Sequence, residues 1–370
     1  MLHKSFLLSL ILLSGQFISA QHLTMLPDGG NKKASVSERV GLTDVTIHYD
    51  RPAVKGREGK IWNGLVHTGF KDLGFGTSKA APWRAGANEN TTFTFTSDVL
   101  IEGKPLKAGT YGFFVAMGDK ENATLIFSNS NSAWGSFYYD QKQDALRVDV
   151  KTVKLNENVE RLKYEFMDET ENSAVIALLW EKVKIPFKLQ VDYVATQLAS
   201  FRKELPGNEG FKSDAWQKAA FFAASHDTDL EEALQWSDYS LNGPFVGEKN
   251  FNNLSTKALV LTKMGNTTEA TNIMKQAMPI ANMQELHAYG KQLLIDKKPH
   301  EALEVFKLNA EKNPGVFTTD MGLVRGYSAN GDFSNALKYA KHAQTVAPNN
   351  ANKEMVSGII VKLNDHKDIN

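Results

Sequence analysis

The sequence predicts a chain of two parts: an antiparallel β-sandwich or jelly-roll-like domain over residues 36–192, then an α-helical repeat stack over 193–370. Two observations carry this. Apolar residues alternate with polar ones at period two as far as Val191, in short runs broken by turn signals about every 8–12 residues. Beyond that point the period becomes 3.6, and a small residue returns at a nearly constant spacing. A third observation, the absence of cysteine, means that both parts depend on core burial alone. It also excludes thiol catalysis, Cys-ligated zinc and iron–sulfur chemistry.

Residues 1–20 read as a secretory leader, with Lys4 ahead of Phe6-Leu7-Leu8-Ser9-Leu10-Ile11-Leu12-Leu13 and a small-residue cleavage site at Ile18-Ser19-Ala20. The apolar run is too short to span a bilayer, so no transmembrane segment is expected in the mature chain. Gln21 is the expected mature N-terminus, and no cysteine stands there to take a lipid. The expected destination is therefore periplasmic or secreted, not that of a lipoprotein. The leader removes one of 42 basic residues against 42 acidic ones, leaving a net charge of −1. Such a balance supplies no field to attract nucleic acid or anionic lipid.

Residues 21–35, polar and glycine-bearing, read as a flexible lead-in. Strands are expected at Val45–Tyr49, at 91–96 (Thr-Thr-Phe-Thr-Phe-Thr), at Val99 and Ile101, from Gly109 through Val115, and at 124–127 after a turn at Asp119-Lys120-Glu121-Asn122. Further runs are Phe137-Tyr138-Tyr139, 146–150, 162–166, 174–180 and 183–191. Trp62, Trp83, Trp134 and Trp180 are expected as core anchors, because aromatic side chains dominate sandwich interiors. In the second part Val194, Leu198, Phe201 and Leu205 share one helix face, which ends at Pro206-Gly207.

Self-similarity is clearest at Asp229-Leu230-Glu231-Glu232-Ala233-Leu234, Thr268-Glu269-Ala270, His300-Glu301-Ala302-Leu303 and Phe333-Ser334-Asn335-Ala336-Leu337. The alanines at 233, 270, 302 and 336 stand 37, 32 and 34 residues apart, and two of the repeats close on Pro314 and Pro348. This resembles the tetratricopeptide repeat, in which a small residue lets paired helices approach closely and a proline ends the second helix. Residues 350–363 then read as a capping helix, and phenylalanine, tryptophan and tyrosine residues such as Phe221, Trp236, Tyr289 and Phe306 are expected to pack between repeats.

In the first part Tyr49-Asp50-Arg51-Pro52, Lys55-Gly56-Arg57, Ile61-Trp62-Asn63-Gly64-Leu65-Val66, Trp83-Arg84-Ala85-Gly86-Ala87-Asn88-Glu89, Ala108-Gly109-Thr110-Tyr111 and Trp134-Gly135 occur in that order. Together they resemble a bacterial exported family, domain of unknown function 2911. The resemblance implies a compact β domain and export, and it implies no activity. His67 replaces the proline expected after Leu65-Val66, and residues 68–82, rich in glycine and serine, lengthen the connection to the tryptophan-arginine motif.

Several chemistries are open. Arg51, Lys55, Arg57 and Arg84 are candidates for converging on a small polar or anionic ligand, with Trp83 as a stacking ring and Asn88 and Glu89 beside it. The plainer alternative is that Arg84 pairs with Glu89 while Asn88 closes the loop through its own hydrogen bonds. Glu89 with Asp50 or Asp98 would make a carboxylate pair for acid–base work, supported by Arg84 and by His67 or His48, the two histidines of the β part. Those histidines lack metal-ligand spacing, so no metal is expected, and no cofactor motif occurs. Gly74-Phe75-Gly76-Thr77-Ser78-Lys79-Ala80 lacks the rest of a phosphate loop, and its Gly-x-Ser-x-Ala lacks the strand and helix of a nucleophile elbow. Ser200-Phe201-Arg202-Lys203 matches Ser-x-x-Lys without its companion motifs.

The sequence therefore points first to a non-enzymatic binding or adaptor protein of the cell envelope, meeting another envelope protein or a peptide through 193–370. The alternatives are a periplasmic hydrolase acting on a saccharide or ester, and a carbohydrate-binding module.

Overall fold

Period-two patterning becomes ten strands among the described residues of a computed structural model, which describes 30–119 and 121–370. The expected leader at 1–20 lies outside them, as does Lys120 of the turn at 119–122. The strands are β1 (Lys32–Val40), β2 (Thr43–Arg51), β3 (Thr91–Phe95), β4 (Val99–Ile101), β5 (Lys104–Leu106), β6 (Gly109–Met117), β7 (Asn122–Ser128), β8 (Asp144–Lys151), β9 (Val153–Met167) and β10 (Ser173–Gln190). They form two antiparallel sheets, ordered β1-β2-β3-β6-β7-β8 and β5-β4-β10-β9. Strict alternation lets each sheet turn one face inward. Phe93, Phe113 and Phe127 of the first sheet meet Phe187 of the second, with Phe93 and Phe113 ring centres 4.6 Å apart and Phe113 and Phe187 6.1 Å apart. Residues of the opposite parity put a row of hydroxyls on the outer face. Ser37, Thr46, Thr94 and Thr110 are cross-strand neighbours, joined in pairs at 2.8 and 2.9 Å.

Three local expectations are corrected. The lead-in expected as far as 35 is already strand from Lys32, because pairing along β2 puts Ala34 and Val36 against the core despite a polar sequence. The runs at 174–180 and 183–191 are one strand, β10, whose register shifts around Glu181, a left-handed residue at φ 51°. Phe137-Tyr138-Tyr139 is a turn rather than a strand, and Gly135 at φ 63° redirects the chain before it.

One compact unit ends at Tyr193 and a second starts at Val194. The second holds α1 (Tyr193–Glu204, beginning at the junction), α2 (Ser213–Ser225), α3 (Leu230–Asn242), α4 (Phe251–Lys263), α5 (Thr267–Ala277), α6 (Met283–Ile295), α7 (Pro299–Lys312), α8 (Phe317–Ala329), α9 (Phe333–Thr345) and α10 (Asn350–Asn364). From α2 to α9 they are four antiparallel pairs. Ala233, Ala270, Ala302 and Ala336 are buried on the second helix of each pair, where a larger side chain would hold the helices apart. Asn250, Asn282, Asp332 and Asn349 cap helix N-termini through side-chain oxygens, Asn282 in a reciprocal box with Glu285. α10 covers α9 through Val356 and Leu363, as a stack end requires. No helix among the described residues is long and apolar enough to cross a membrane.

Candidate functional site

The loop at 83–90 is built from the backbone outward. Trp83 exchanges both backbone hydrogen bonds with Val115, at 3.0 and 2.8 Å. Its ring stacks on Trp180 and meets Trp62 edge-on at 5.6 Å. Ala85 and Asn88 are both left-handed, at φ 50° and 55°; asparagine tolerates this, whereas alanine must be held there. Tyr164 Oη and Thr91 Oγ1 hold it by donating to the Ala85 carbonyl at 2.8 and 3.2 Å. Gly86 is required because a Cβ would lie 2.6 Å from Thr91 Oγ1. Arg84 donates to the Asn88 carbonyl at 2.7 Å and lies over the Phe137 ring, 5.1 Å from its centre. Burial lowers its pKa, although a guanidinium keeps its charge. Arg84 therefore closes the loop and does not pair with Glu89, the plainer arrangement expected from sequence.

Glu89 turns the other way. Its Oε1 pairs with Lys33 of β1 at 2.9 Å, and its carboxyl faces Asp50 of β2 within hydrogen-bonding reach. Asp50, directly across from Lys33 in register, is almost wholly covered by the loop and accepts from Asn88 Nδ2 at 3.2 Å. Asn31 completes the cluster by donating to Asn88 Oδ1 at 3.3 Å. Glu89 Oε2 is buried and finds no donor. Two carboxylate oxygens only accept, so a bond between Asp50 and Glu89 needs a shared proton. Desolvation, and then the neighbouring Glu89, raise the Asp50 pKa, while the Lys33 bond lowers that of Glu89. The two carboxyls are thus pushed in opposite directions, Asp50 towards holding a proton and Glu89 towards the charged form, the kind of division that separates an acid from a base.

The signs oppose each other. Stability from the raised Asp50 pKa is present below the ordinary carboxylate range and lost as pH rises through the folded value. Stability from the lowered Glu89 pKa is present above that range and lost as pH falls. Asp50→Asn, whose amide donates without titrating, is expected to gain about 1 kcal/mol at pH 7 and little at pH 4. Urea unfolding at the two pH values checks this, and an equal loss at both would mean that no proton is shared.

The remaining predicted residues do not gather here. Arg51 Nε donates across to the Leu162 carbonyl of β9 at 2.9 Å, and Arg57 donates to the nearby Val54 and Ala53 carbonyls at 2.9 and 2.6 Å, so each guanidinium holds backbone. Lys55 is exposed at φ 50°, its amide on Glu160. The convergence of Arg51, Lys55, Arg57 and Arg84 on one anion is thus not formed. Asp98 bonds Lys107 and the Ala108 amide, which leaves Asp50 as the partner of Glu89. His48 is exposed on the outer face of β2, and His67 is half-buried; neither is hydrogen-bonded to Glu89. Trp83 is only 8% exposed and cannot serve as a stacking ring, whereas Trp134, expected in the core, is 54% exposed. No group of three or more metal-ligating side chains occurs among the described residues. Lys33 and Asn31 were invisible as site residues because they stand in a segment that reads as lead-in.

The helical unit offers a second site. A groove of about 600 Å³ runs over α2, α4 and α6, with the amide and hydroxyl side chains of Gln217, Asn252, Ser255 and Gln284 along it and the Phe221 ring, 50% exposed, on its wall. Its cause lies between the second and third pairs. α3 lies closely against α4, α7 against α8 and α9 against α10, but α5 and α6 make no comparable approach. There Met274, Met278 and Tyr289 pack beside the buried Ala277 and Ala281, and Tyr289 meets Phe251 edge-on at 6.1 Å. A further opening of about 430 Å³ shares Met274, Tyr289 and Leu293 as its wall. The looser packing here coincides with apolar space whose lining the two openings share.

With both sites described, residues 31–189 match the family described as Protein of unknown function (DUF2911). The β unit carries a domain of this family. No curated protein matches the chain. The helical region is similar to solved tetratricopeptide structures. These include YrrB, described as a TPR protein with an unusual peptide-binding site, at 18% identity and TM-score 0.29, covering 45% of this chain and 84% of that one. A tetratricopeptide repeat protein from Parabacteroides merdae is 16% identical at TM-score 0.29, covering 47% and 67%. A MamA structure is 16% identical at TM-score 0.26, covering 42% and 95%. The repeat assignment itself rests on the four helix pairs and their buried alanines.

Proposed function

We propose that this chain is an exported, non-enzymatic adaptor of the cell envelope whose helical unit grips an extended segment of a partner protein. The observation that carries the reading is the groove over α2, α4 and α6. Amide and hydroxyl side chains supply donors and acceptors for a peptide backbone, and the widened seam supplies apolar space for one of its side chains. The leader-like residues 1–20 support export. Site-specific photo-crosslinking from position 221 in the full chain is expected to trap a discrete envelope protein. Phe221→Ala with Gln284→Ala is expected to weaken that association at least tenfold without changing the unfolding midpoint. Retention of full affinity in the double variant would remove the groove from the interaction.

A second reading, hydrolysis of a saccharide or ester, is favoured by one observation, the Asp50–Glu89 pair with its opposed pKa shifts. In this form Asp50 gives the proton and Glu89 takes one, while Arg84 remains with its own loop. Turnover of ester and glycoside panels that survives both Asp50→Asn and Glu89→Gln would exclude it.

A further inference from the structure

We propose that the β unit binds a neutral saccharide in a cleft of about 520 Å³ between residues 70–80 and 139–141, away from the Asp50–Glu89 cluster and independently of the adaptor reading. The cleft is lined by Phe70, Thr77, Ser78, Tyr139 and Gln141, with Lys79 and Asp140 at its edges. The aromatic side chains that the β unit leaves most open to water lie beside or within these two segments: Phe75 (61% exposed), Trp134, Tyr138 and Phe70. Rings held in water at fixed positions mark a recognition surface rather than a core defect.

The cleft is a built feature. Lys71 and Ala81 exchange backbone hydrogen bonds at 3.0 and 2.9 Å, Gly69 donates to the Met117 carbonyl at 2.7 Å, and Ser78 donates its amide to Phe137 at 2.9 Å. Gly76, left-handed at φ 75°, lies so close to Phe137 that no Cβ fits. Phe75 meets Phe137 edge-on at 5.2 Å, and Phe70 lies 6.4 Å from Tyr139. Tyr139 Oη donates to Asp144 at 2.8 Å and accepts from Arg147 at 2.5 Å, while the Arg147 guanidinium sits 5.1 Å from the centre of the Phe70 ring. The tyrosine hydroxyl is thus engaged with that network, and a ring is left to line the cleft.

The polar groups decide the ligand class. Lys79 is paired with Asp72 at 3.1 Å, and the Asp140 carboxylate at the other edge caps its own turn by accepting from the Lys142 amide at 3.0 Å, so no free cation is directed at a ligand. What remains is neutral: the side chains of Thr77, Ser78 and Gln141 make no hydrogen bond among the described residues. Ser78 is the decisive one, because it is only 6% exposed and lines the cleft with an unpartnered hydroxyl. A sugar presents C–H faces that suit the electron-rich faces of aromatic rings, and hydroxyl edges that suit serine, threonine and amide groups. An anionic ligand finds no free counter-charge here.

Affinity electrophoresis of the full chain through gels containing neutral soluble polysaccharides (mixed-linkage glucan, galactomannan, hydroxyethylcellulose) tests the proposal. Retardation by at least one of them is expected, weakened at least tenfold by Phe70→Ala and about threefold to tenfold by Ser78→Ala. Should Phe70→Ala fail to fold, as judged by near-ultraviolet circular dichroism, Ser78→Ala decides alone. The proposal is overturned if no neutral polysaccharide retards the chain, if only anionic ones do, or if the variants that fold migrate like the parent.

Discussion

Replacing Phe306 by alanine is expected to destabilise the helical unit by about 3–5 kcal/mol, the range for truncating a large buried aromatic whose surroundings cannot collapse. Phe306 is fully buried on α7, and three glycines receive its ring: Gly290 on α6, and Gly322 and Gly326 on α8. A Cβ at Gly322 would lie 2.7 Å from Phe306 Cδ1, so the helices approach the ring as closely as backbone permits. α6 and α8 also pack on each other, and α8 on α9, which limits how far either can move in to fill the void. The complementary error, Gly290→Ala, is expected to cost about 1–3 kcal/mol by overpacking. Urea unfolding followed at 222 nm measures both, and a loss below about 1 kcal/mol for Phe306→Ala would show that the site relaxes.

Trp83→Ala is expected to cost the β unit a similar amount, about 3–5 kcal/mol, and to leave saccharide retardation unchanged in the protein that remains folded. The ring packs with Trp62 and Trp180 in a mutual cluster, and its backbone is clamped to Val115, so its loss opens the core where the loop at 83–90 begins. Near-ultraviolet circular dichroism across a thermal melt reads the first effect, and affinity electrophoresis reads the second. Loss of retardation in a variant with native stability would return Trp83 to the role of a stacking ring.

Much of the architecture was legible because it depends on period. Val45, Ile47 and Tyr49 alternate on β2, and Ala233, Ala270, Ala302 and Ala336 recur where helices must touch; each pattern is local and survives without its neighbours. The site was legible only in part. That Glu89 would have a carboxylate partner could be read, but the choice between Asp50 and Asp98 rests on strand register, which places Lys33 across from Asp50 and leaves Asp98 to Lys107. The four cations from Arg51 to Arg84 looked alike in sequence. They differ in space because the three guanidinium groups each donate to a different stretch of backbone while Lys55 stays exposed, arrangements that leave no sequence pattern.

By itself the sequence determined the two-part order of the chain, the antiparallel β character of the first part, the repeat of the second, and the reliance on burial without disulfides. These follow from side-chain periodicity and composition, which are properties of the linear chain. Only the tertiary structure decided that Trp83 is core while Phe75 and Trp134 face water, that Asp50 and Glu89 face each other, and that the stack is loosest between its second and third pairs, where Met274, Met278 and Tyr289 stand. The reason is that exposure, carboxylate pairing and helix spacing are set by what lies across a sheet or a helix interface, at separations in sequence that no local pattern spans.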